Sequence, residues 1–489
     1  MLANVVLLLS TLAIAHSGRN EQLANLNQES PSLQEVIAIL QQKNYSAAKA
    51  KLLQITDRYP NMAQAFFYLG TAEYHLGELN EAERAFRRSL QLDPKSPSAV
   101  YNLGLVLLDL KRPAEAISYL QEAEKFSPAE PEVWINLIRA YLDNGQRERA
   151  LRLADSASQK FPHSPAFFLA LGNCYLQHGL AVQAGAALEQ ADRFAPYQPQ
   201  IALPLAEACL QQRDAKCALR ALQSVQDKCD NIAQYHYLLA QCYFLTGSQK
   251  QTLEEIGRAA HLEPNNTLYL LTWGRYWQKY GQQEEALNVL QKAARLNPNQ
   301  ATIPYSIAIS FFVEGDFDRA MLFVERALSL RPNFDRAVFL LGISNLALAK
   351  YAQADAHLRQ AVTLNPDNPY GECFLGMSLL SQDRPSEAES HLRKALALRP
   401  SYALPHFQLG ILFARQGRYL AARTELERAI ALEPDLYEAY YQLGLVLQRL
   451  GEKQKAQEAI AIFQKYAAGQ YSERQEILKQ MQRAVQEAP

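Results

Sequence analysis

The sequence predicts an all-α protein, an α-solenoid of thirteen 34-residue helix-turn-helix repeats. Two observations lead to this fold class: prolines recur every 34 residues, and each interval contains two amphipathic helical stripes. The periodic prolines are Pro60, Pro94, Pro128, Pro162, Pro196, Pro264, Pro298, Pro332, Pro366, Pro400 and Pro434. A single interval lacks its proline and has Asp230 instead. Such regularity favours stacked repeats over several separate globular domains.

The repeat frame follows when the proline is taken as position 32. The repeats then begin at residues 29, 63, 97, 131, 165, 199, 233, 267, 301, 335, 369, 403 and 437 and cover 29–470. Apolar or small residues recur at positions 4, 7, 8 and 11 and at 20, 24 and 27, which are the stripes of two helices. Position 15 is usually glycine, as at Gly77, where a left-handed residue would end the first helix.

Two small-residue positions predict where the paired helices cross. Position 20 is alanine in every repeat except one, which has Thr252. Position 8 is glycine in eight repeats, at Gly70, Gly104, Gly172, Gly274, Gly342, Gly376, Gly410 and Gly444. Glycine inside a helix costs up to about 1 kcal/mol relative to alanine. We therefore expect close backbone approach at these positions.

The repeat running from Tyr101-Asn-Leu-Gly through Ala116 to Ser127-Pro128 resembles the tetratricopeptide repeat. The resemblance implies that helix pairs stack into a right-handed superhelix whose first helices line a concave groove. It also implies binding of proteins or peptides in that groove. Stacking is expected on physical grounds too, since one helix pair cannot bury both of its faces.

The two ends depart from the repeat. Residues 1–15 contain an apolar stretch ending in Ala13-Ile14-Ala15, which predicts a signal peptide and export to the periplasm or the extracellular space. Because no Lys or Arg precedes Val5, a frayed apolar N-terminus, an anchor helix or a cytoplasmic location stays open. Residues 16–28, rich in Asn and Gln, are typical of a linker. Residues 471–489 predict a charged, solvated C-terminal capping helix.

The repeat at 199–232 is irregular, since it lacks the closing proline and has Pro204 in its first helix. A kink is expected there, and the repeat is either a hinge or a tolerated departure from the consensus. Cys209 and Cys217 occupy positions 11 and 19, near the turn between its helices. In an exported protein they could form a disulfide; free thiols are the alternative. The cysteine spacings match no zinc motif, and we expect no metal site.

Composition and motifs argue against several function classes. The 49 Lys and Arg residues balance 50 Asp and Glu residues, with no basic run that would bind nucleic acid. The chain has no Walker loop, GxSxG or HExxH motif, and we interpret its nine histidines as scattered, without a common spacing that would indicate a site. We therefore expect a non-enzyme without cofactors or a small-molecule substrate.

Polar residues favour peptide binding toward the N-terminus. Four of them fall on successive first helices: Asn102, Asn136, Arg139 and Asn173. Such side chains can hydrogen-bond the backbone of an extended peptide. Chaperone-binding relatives clamp a terminal carboxylate. Arg275 and Lys279 match the last unit of that clamp, whereas Leu203 and Glu207 do not match its first.

An apolar stripe follows toward the C-terminus, at Leu271, Tyr305, Ile309, Phe339, Ile343, Met377, Phe407, Ile411 and Tyr441. It would suit an amphipathic helix or an apolar peptide. Alternatively these residues pack against neighbouring helices, since aromatic residues at position 5 belong to the repeat consensus.

Two functions remain. The first is a protein–protein interaction scaffold that binds a partner in the groove. The second is a structural spacer or self-assembling subunit of an envelope-associated complex, which binds through its ends and convex faces. Long concave surfaces come readily from tandem repeats, which favours the first.

Overall fold

The computed structural model describes residues 31–467 and 473–487, and within them it contains 28 α-helices and no strand. The all-α fold class predicted from the sequence is confirmed. The chain divides between Asp230 and Asn231 into two compact units, which we call the N-terminal and C-terminal units.

Helices of the N-terminal unit pair in sequence order. They are α1 (Pro31–Gln41), α2 (Tyr45–Arg58), α3 (Ala63–His75), α4 (Leu79–Leu92), α5 (Pro97–Asp109), α6 (Pro113–Phe126), α7 (Pro131–Asp143), α8 (Arg147–Lys160), α9 (Pro165–Gln177), α10 (Ala181–Phe194), α11 (Pro199–Gln211), α12 (Ala215–Gln223) and α13 (Gln226–Cys229).

The C-terminal unit continues the pairing and adds one helix after the last repeat. Its helices are α14 (Ala233–Leu245), α15 (Gln249–Leu262), α16 (Thr267–Lys279), α17 (Gln283–Leu296), α18 (Thr302–Glu314), α19 (Phe317–Leu330), α20 (Asp335–Ala347), α21 (Tyr351–Leu364), α22 (Pro369–Leu380), α23 (Pro385–Leu398), α24 (Ala403–Arg415), α25 (Tyr419–Leu432), α26 (Tyr437–Arg449), α27 (Lys453–Ala467) and α28 (Glu473–Glu487).

Local sequence explains where first helices begin and end. Ser96 caps α5 by accepting a hydrogen bond from the Ala99 amide, and Pro97 follows at the first helical position. Position 15 has a positive φ in all thirteen repeats, as predicted from its glycines. Five repeats adopt this conformation without glycine, at Lys43, Lys111, Arg213, Ala349 and Asp383. The turn is therefore imposed by the packing of the helix pair as well as by glycine.

Paired helices lie in close contact at the glycines of position 8, as the sequence predicted. A Cβ atom added at Gly172 would lie 2.4 Å from Leu188 Cγ, and one at Gly410 would lie 2.6 Å from Leu426 Cγ. At Gly376 the backbone carbonyl of Ala388, a position-20 alanine, would be 3.3 Å away. Glycine is needed at these crossings because leucine at position 24 fills the space that a Cβ would occupy.

The irregular repeat differs from expectation in its second helix. Pro204 lies inside α11. This helix nevertheless spans Pro199–Gln211, which is 13 residues, the same length as a regular first helix such as α9. The second helix is instead divided into α12 and α13. The unit boundary follows directly at Asp230. A hinge in this repeat stays a prediction.

Three predicted segments lie wholly or partly outside the residues that the structure describes. The signal peptide at 1–15 and the linker at 16–28 lie outside the described residues, as do 471–472 and 488–489 of the tail. None of the described helices combines the length and hydropathy needed to cross a bilayer.

Candidate functional site

The first helices of the N-terminal unit carry a chain of polar contacts. Tyr74 OH donates to Asp109 Oδ2 at 2.7 Å, and Arg139 lies 3.1 Å from Asp109 Oδ1 and 3.5 Å from Asp143 Oδ2. His178 Nε2 lies 3.0 Å from Asp143 Oδ1. Burial and the neighbouring Asp109 carboxylate raise the pKa of Tyr74, which keeps its hydroxyl a donor. The network links α3, α5 and α7 to His178, which caps the C-terminal end of α9.

The predicted peptide-binding residues are largely committed to this internal bonding. Arg139 is held between two aspartates. Asn136 is buried and donates to Tyr101 OH and to Glu132 O, and Asn102 donates to Ser98 O. Asn173 is half-buried. Contact of these residues with a ligand stays a prediction, although side-chain nitrogens of Asn102, Asn136 and Arg139 already have partners within the protein.

Arg275 and Lys279, the two residues that match one unit of a carboxylate clamp, lie exposed on α16. One turn of helix separates them, so both point to the same side. Their role in binding likewise stays a prediction.

Most of the apolar stripe is buried. Tyr305, Phe339, Met377 and Phe407 are each less than a tenth exposed. Tyr305 packs on Phe334 with ring centroids 4.8 Å apart, while Tyr441, half-buried, lies 5.1 Å from the ring of Phe463. Tyr305 and Phe339 therefore pack against neighbouring helices, and contact of the stripe with a ligand stays a prediction.

Part of the stripe is covered by the chain's own C-terminal helix. Helix α28 lies against α18 and α20, and we call the face formed by α18, α20, α22 and α24 the C-terminal groove. Met481, Ala484 and Val485 of α28 are buried in the same hydrophobic cluster as the repeats. Ile477 and Leu478 pack against this cluster. The helix predicted at 471–489 therefore forms, but one face is buried in the groove and is not solvated as expected.

Polar contacts hold α28 at two places, the end of α18 and the turn between α25 and α26. Gln482 Nε2 donates to the carbonyl of Val313 at 2.9 Å, at the end of α18. Gln480 Nε2 donates to Glu433 Oε1 at 3.0 Å, and Lys479 Nζ lies 3.2 Å from Asp435 Oδ2. These partners belong to repeats far apart in sequence, so α28 ties several repeats of the C-terminal unit together.

The last residue of α28 enters a polar socket, which we define as Tyr370 and Arg399. Tyr370 OH donates to Glu487 Oε2 at 2.5 Å, and Arg399 Nη1 lies 3.1 Å from the same oxygen. Burial and the Glu487 hydrogen bond raise the pKa of Tyr370 to about 12. The Arg399 guanidinium also stacks over the rings of Tyr370 and Tyr402, at 5.5 and 5.8 Å.

Helix α28 fills the groove only in part. A cavity of about 1100 Å³ remains between it and the repeats. The walls are mainly apolar and include Leu346, Met377, Leu380, Ile411, Leu412, Ile477, Leu478 and Met481, with Ser381, Gln408 and Arg415 as polar members. Space of this size beside a bound helix allows a bulkier ligand than the one present.

Sequence reasoning predicted the C-terminal helix but missed its docking in the groove and missed the socket. The signal for the tail was available, because Ile477, Leu478, Met481, Ala484 and Val485 fall at i, i+1, i+4, i+7 and i+8. Charged residues surround this stripe, so the segment also fits a solvated helix. Nothing in the sequence joins Tyr370 and Arg399 to Glu487, since 117 and 88 positions separate them.

The histidines are also more regular than expected. Position 4 is histidine in two repeats, and in each the Nδ1 atom lies 2.6 Å from a glutamate Oε2 atom at position 23. These pairs are His236–Glu255 and His406–Glu425, and the repeat at 369 carries the exchanged pair Glu372–His391 at 2.7 Å. They link the two helices of a repeat. Across the described part of the chain, no three His, Cys, Asp or Glu side chains are arranged to hold a metal ion.

Comparison with protein families agrees with the repeat geometry. Models described as "Tetratricopeptide repeat" match residues 107–174 and 142–196, and residues 33–97, 76–131, 271–333 and 339–403. A model described as "TPR repeat" matches 412–451. Together they cover more than half of the sequence. The chain belongs to the tetratricopeptide repeat family. Tetratricopeptide repeats generally mediate protein–protein interactions, and such folds are typically non-catalytic scaffolds.

Individual relatives of this tetratricopeptide repeat protein are distant. Over 75 residues it is 29% identical to the protein O-mannosyl-transferase Tmtc3 of Drosophila melanogaster, a match that covers 15% of this chain and 8% of that protein. The crystal structure of the APC/C hetero-tetramer Cut9-Hcn1 matches with 14% identity and a TM-score of 0.46, covering 87% of this chain and 98% of that one. Pseudomonas aeruginosa pilF matches with 19% identity and a TM-score of 0.39, covering 44% and 97%.

Proposed function

We propose that this tetratricopeptide repeat protein is an interaction scaffold that binds a helical segment of a partner protein in its C-terminal groove. The observation that carries the proposal is the position of α28. An amphipathic helix is already bound there, with its apolar stripe buried in the repeat core and its polar residues paired across the groove. Helix-in-groove recognition uses this same arrangement of anchors.

The N-terminal unit supports this proposal less strongly. Its first-helix residues are joined by the network from Tyr74 to His178, so a ligand there would have to replace contacts that already exist. The C-terminal groove instead retains unfilled apolar space. We therefore assign partner binding to the C-terminal unit.

We also propose that the protein works in an oxidising compartment after export. Cys209 and Cys217 are joined by a disulfide in the structure, with Cα atoms 5.8 Å apart. Disulfides persist mainly outside the cytoplasm, which agrees with the signal peptide predicted at 1–15. Sequencing the N-terminus of the mature protein tests this: we expect it to begin after Ala15, and an intact Met1 would overturn the proposal.

Site-specific photo-crosslinking in native extract tests groove binding. A photoreactive residue is placed at Ser381 or Ile411, which line the cavity beside α28. Matched controls carry it at Leu322 or Leu420, which are 62% and 71% exposed on second helices. Each photoreactive variant is made both in the otherwise native chain and in a chain with Met481→Glu. In the second chain α28 should leave the groove.

We expect one specific partner to crosslink from Ser381 and Ile411, most strongly in the Met481→Glu background. No such product should form from Leu322 or Leu420. Crosslinking of the partner from the second-helix positions alone would contradict the proposal and favour a spacer that binds through its convex faces.

A further inference from the structure

The Tyr370–Arg399 socket recognises a carboxylate. Both residues contact Glu487 Oε2, while Arg483 Nε lies 2.9 Å from Glu487 Oε1. Burial alone would raise the pKa of Glu487, but hydrogen bonds from Tyr370, Arg483 and Arg399 outweigh it and lower the pKa to about 2. Hydrogen bonds with an ionised partner are the stronger kind, so the socket favours an anionic ligand group.

Glu487 is a poor residue for the place it occupies in its own helix. It lies in the last turn of α28, which contains no basic residue, and the negative end of the helix dipole disfavours a carboxylate there. The cation that offsets this repulsion across the groove is Arg399. Within α28 the i,i+4 pair with Arg483 also stabilises this end, so the socket is the second of two sources of stabilisation for Glu487.

Attachment favours α28 over any ligand in solution. Only residues 468–472 separate it from the end of α27 at Ala467. A short linker of this kind gives an effective local concentration in the millimolar range, so even a weakly complementary helix occupies the groove. The fit is incomplete, since about 1100 Å³ beside Met377 and Met481 is unfilled. A partner with larger apolar side chains would gain contacts that α28 lacks.

We propose that α28 is a tethered competitor, and that the partner it excludes is an amphipathic helix with an acidic residue at its C-terminal end. The partner would carry apolar residues at i, i+1, i+4, i+7 and i+8, which fill the groove as Ile477 to Val485 do. A carboxylate at i+10 would enter the Tyr370–Arg399 socket in place of Glu487. This inference rests on the proposed groove-binding function and adds the partner's chemistry and the means of regulation.

The competition is tested by fluorescence anisotropy with a labelled peptide of residues 473–487 and the full chain. We expect Met481→Glu to increase affinity for the peptide by about tenfold or more, because burial of the methionine side chain is lost from the tethered helix. The matched control is Leu420→Glu, which adds the same charge at a position 71% exposed on α25, and it should bind the peptide like the native chain. Equal affinity of all three chains would overturn the tethered-competitor role.

The socket is tested by a double-mutant cycle in the Met481→Glu background. A Glu487→Gln peptide should bind about three- to tenfold more weakly, since the contact is partly exposed. When the chain carries Arg399→Gln or Tyr370→Phe, the affinities of the two peptides should differ by a smaller factor. If the peptides bind equally to the unsubstituted socket, carboxylate recognition is wrong.

Failure of this inference is distinguishable from failure of the proposed function. Photo-crosslinks from Ser381 and Ile411 report whether any partner uses the groove, whatever its charge pattern. If crosslinks form at these positions but Glu487 and Arg399 show no coupling, groove binding is supported and carboxylate recognition by the socket is wrong. Circular dichroism of each variant separates lost binding from lost fold.

Discussion

Replacing Gly172 with alanine tests the close helix crossing that glycine allows at position 8 in eight of the repeats. The new Cβ would lie 2.4 Å from Leu188 Cγ and 2.8 Å from Leu188 Cδ2, and Leu188 is fully buried. Alanine gains up to about 1 kcal/mol of helix propensity. Overpacking of a rigid core costs about 1 to 3 kcal/mol. Because the contact is severe, we expect a net loss of roughly 1 to 2 kcal/mol in the free energy of unfolding.

Gly185→Ala in the partner helix α10 is the matched control. Its Cβ would meet only Gln212 Nε2, at 3.1 Å, the end of a flexible side chain. The helix-propensity gain should then dominate and stabilise the chain by up to about 1 kcal/mol. Amide hydrogen exchange over α9 and α10 measures both effects locally, as repeats contact mainly their neighbours. A Gly172→Ala chain as protected as the native one would refute the crossing geometry.

Three further predictions concern a disulfide, a buried carboxyl and a strained turn. Thiol titration of the unfolded chain should detect four thiols before reduction and six after it, whereas six before reduction would show that Cys209 and Cys217 are unpaired. Burial raises the pKa of Glu73 from 4.5 to about 7. Its contribution to stability is therefore full below pH 4.5 and is lost as the pH rises through 7, by up to about 3 kcal/mol. Glu73→Gln should flatten this part of the melting profile between pH 5 and pH 8. Ala349 has a φ of 55°, so Ala349→Gly should raise the free energy of unfolding, measured by urea titration, by about 1 kcal/mol. Ala347→Gly, at the end of α20, should lower it in the same assay.

The periodic features of this fold were predictable from sequence because each is repeated many times. The proline spacing located the ends of the second helices, and the glycines at positions 8 and 15 located the crossings and turns. One exception shows the limit of residue-by-residue rules. Pro204 is accommodated in an α11 of normal length, so the kink stays a prediction, whereas the break between α12 and α13 was not predicted.

The candidate site was only partly predictable, because its contacts are not periodic. The stripe at Tyr305 and Phe339 was visible, but sequence could not distinguish packing from ligand contact. Each ring is buried in the structure, and contact of the stripe with a ligand stays a prediction. The docking of α28 depends on contacts such as Gln482 with Val313, which are 169 positions apart. Local propensity has no information about pairs at this separation.

Hydrogen exchange of the backbone amides of α28 in the full-length native chain tests the central claim most directly. The account predicts that residues 473–487 exchange at least about tenfold more slowly than the same peptide free in solution, and that Met481→Glu removes this protection. Exchange of α28 at the free-peptide rate in the native chain would contradict occupation of the groove by the tail.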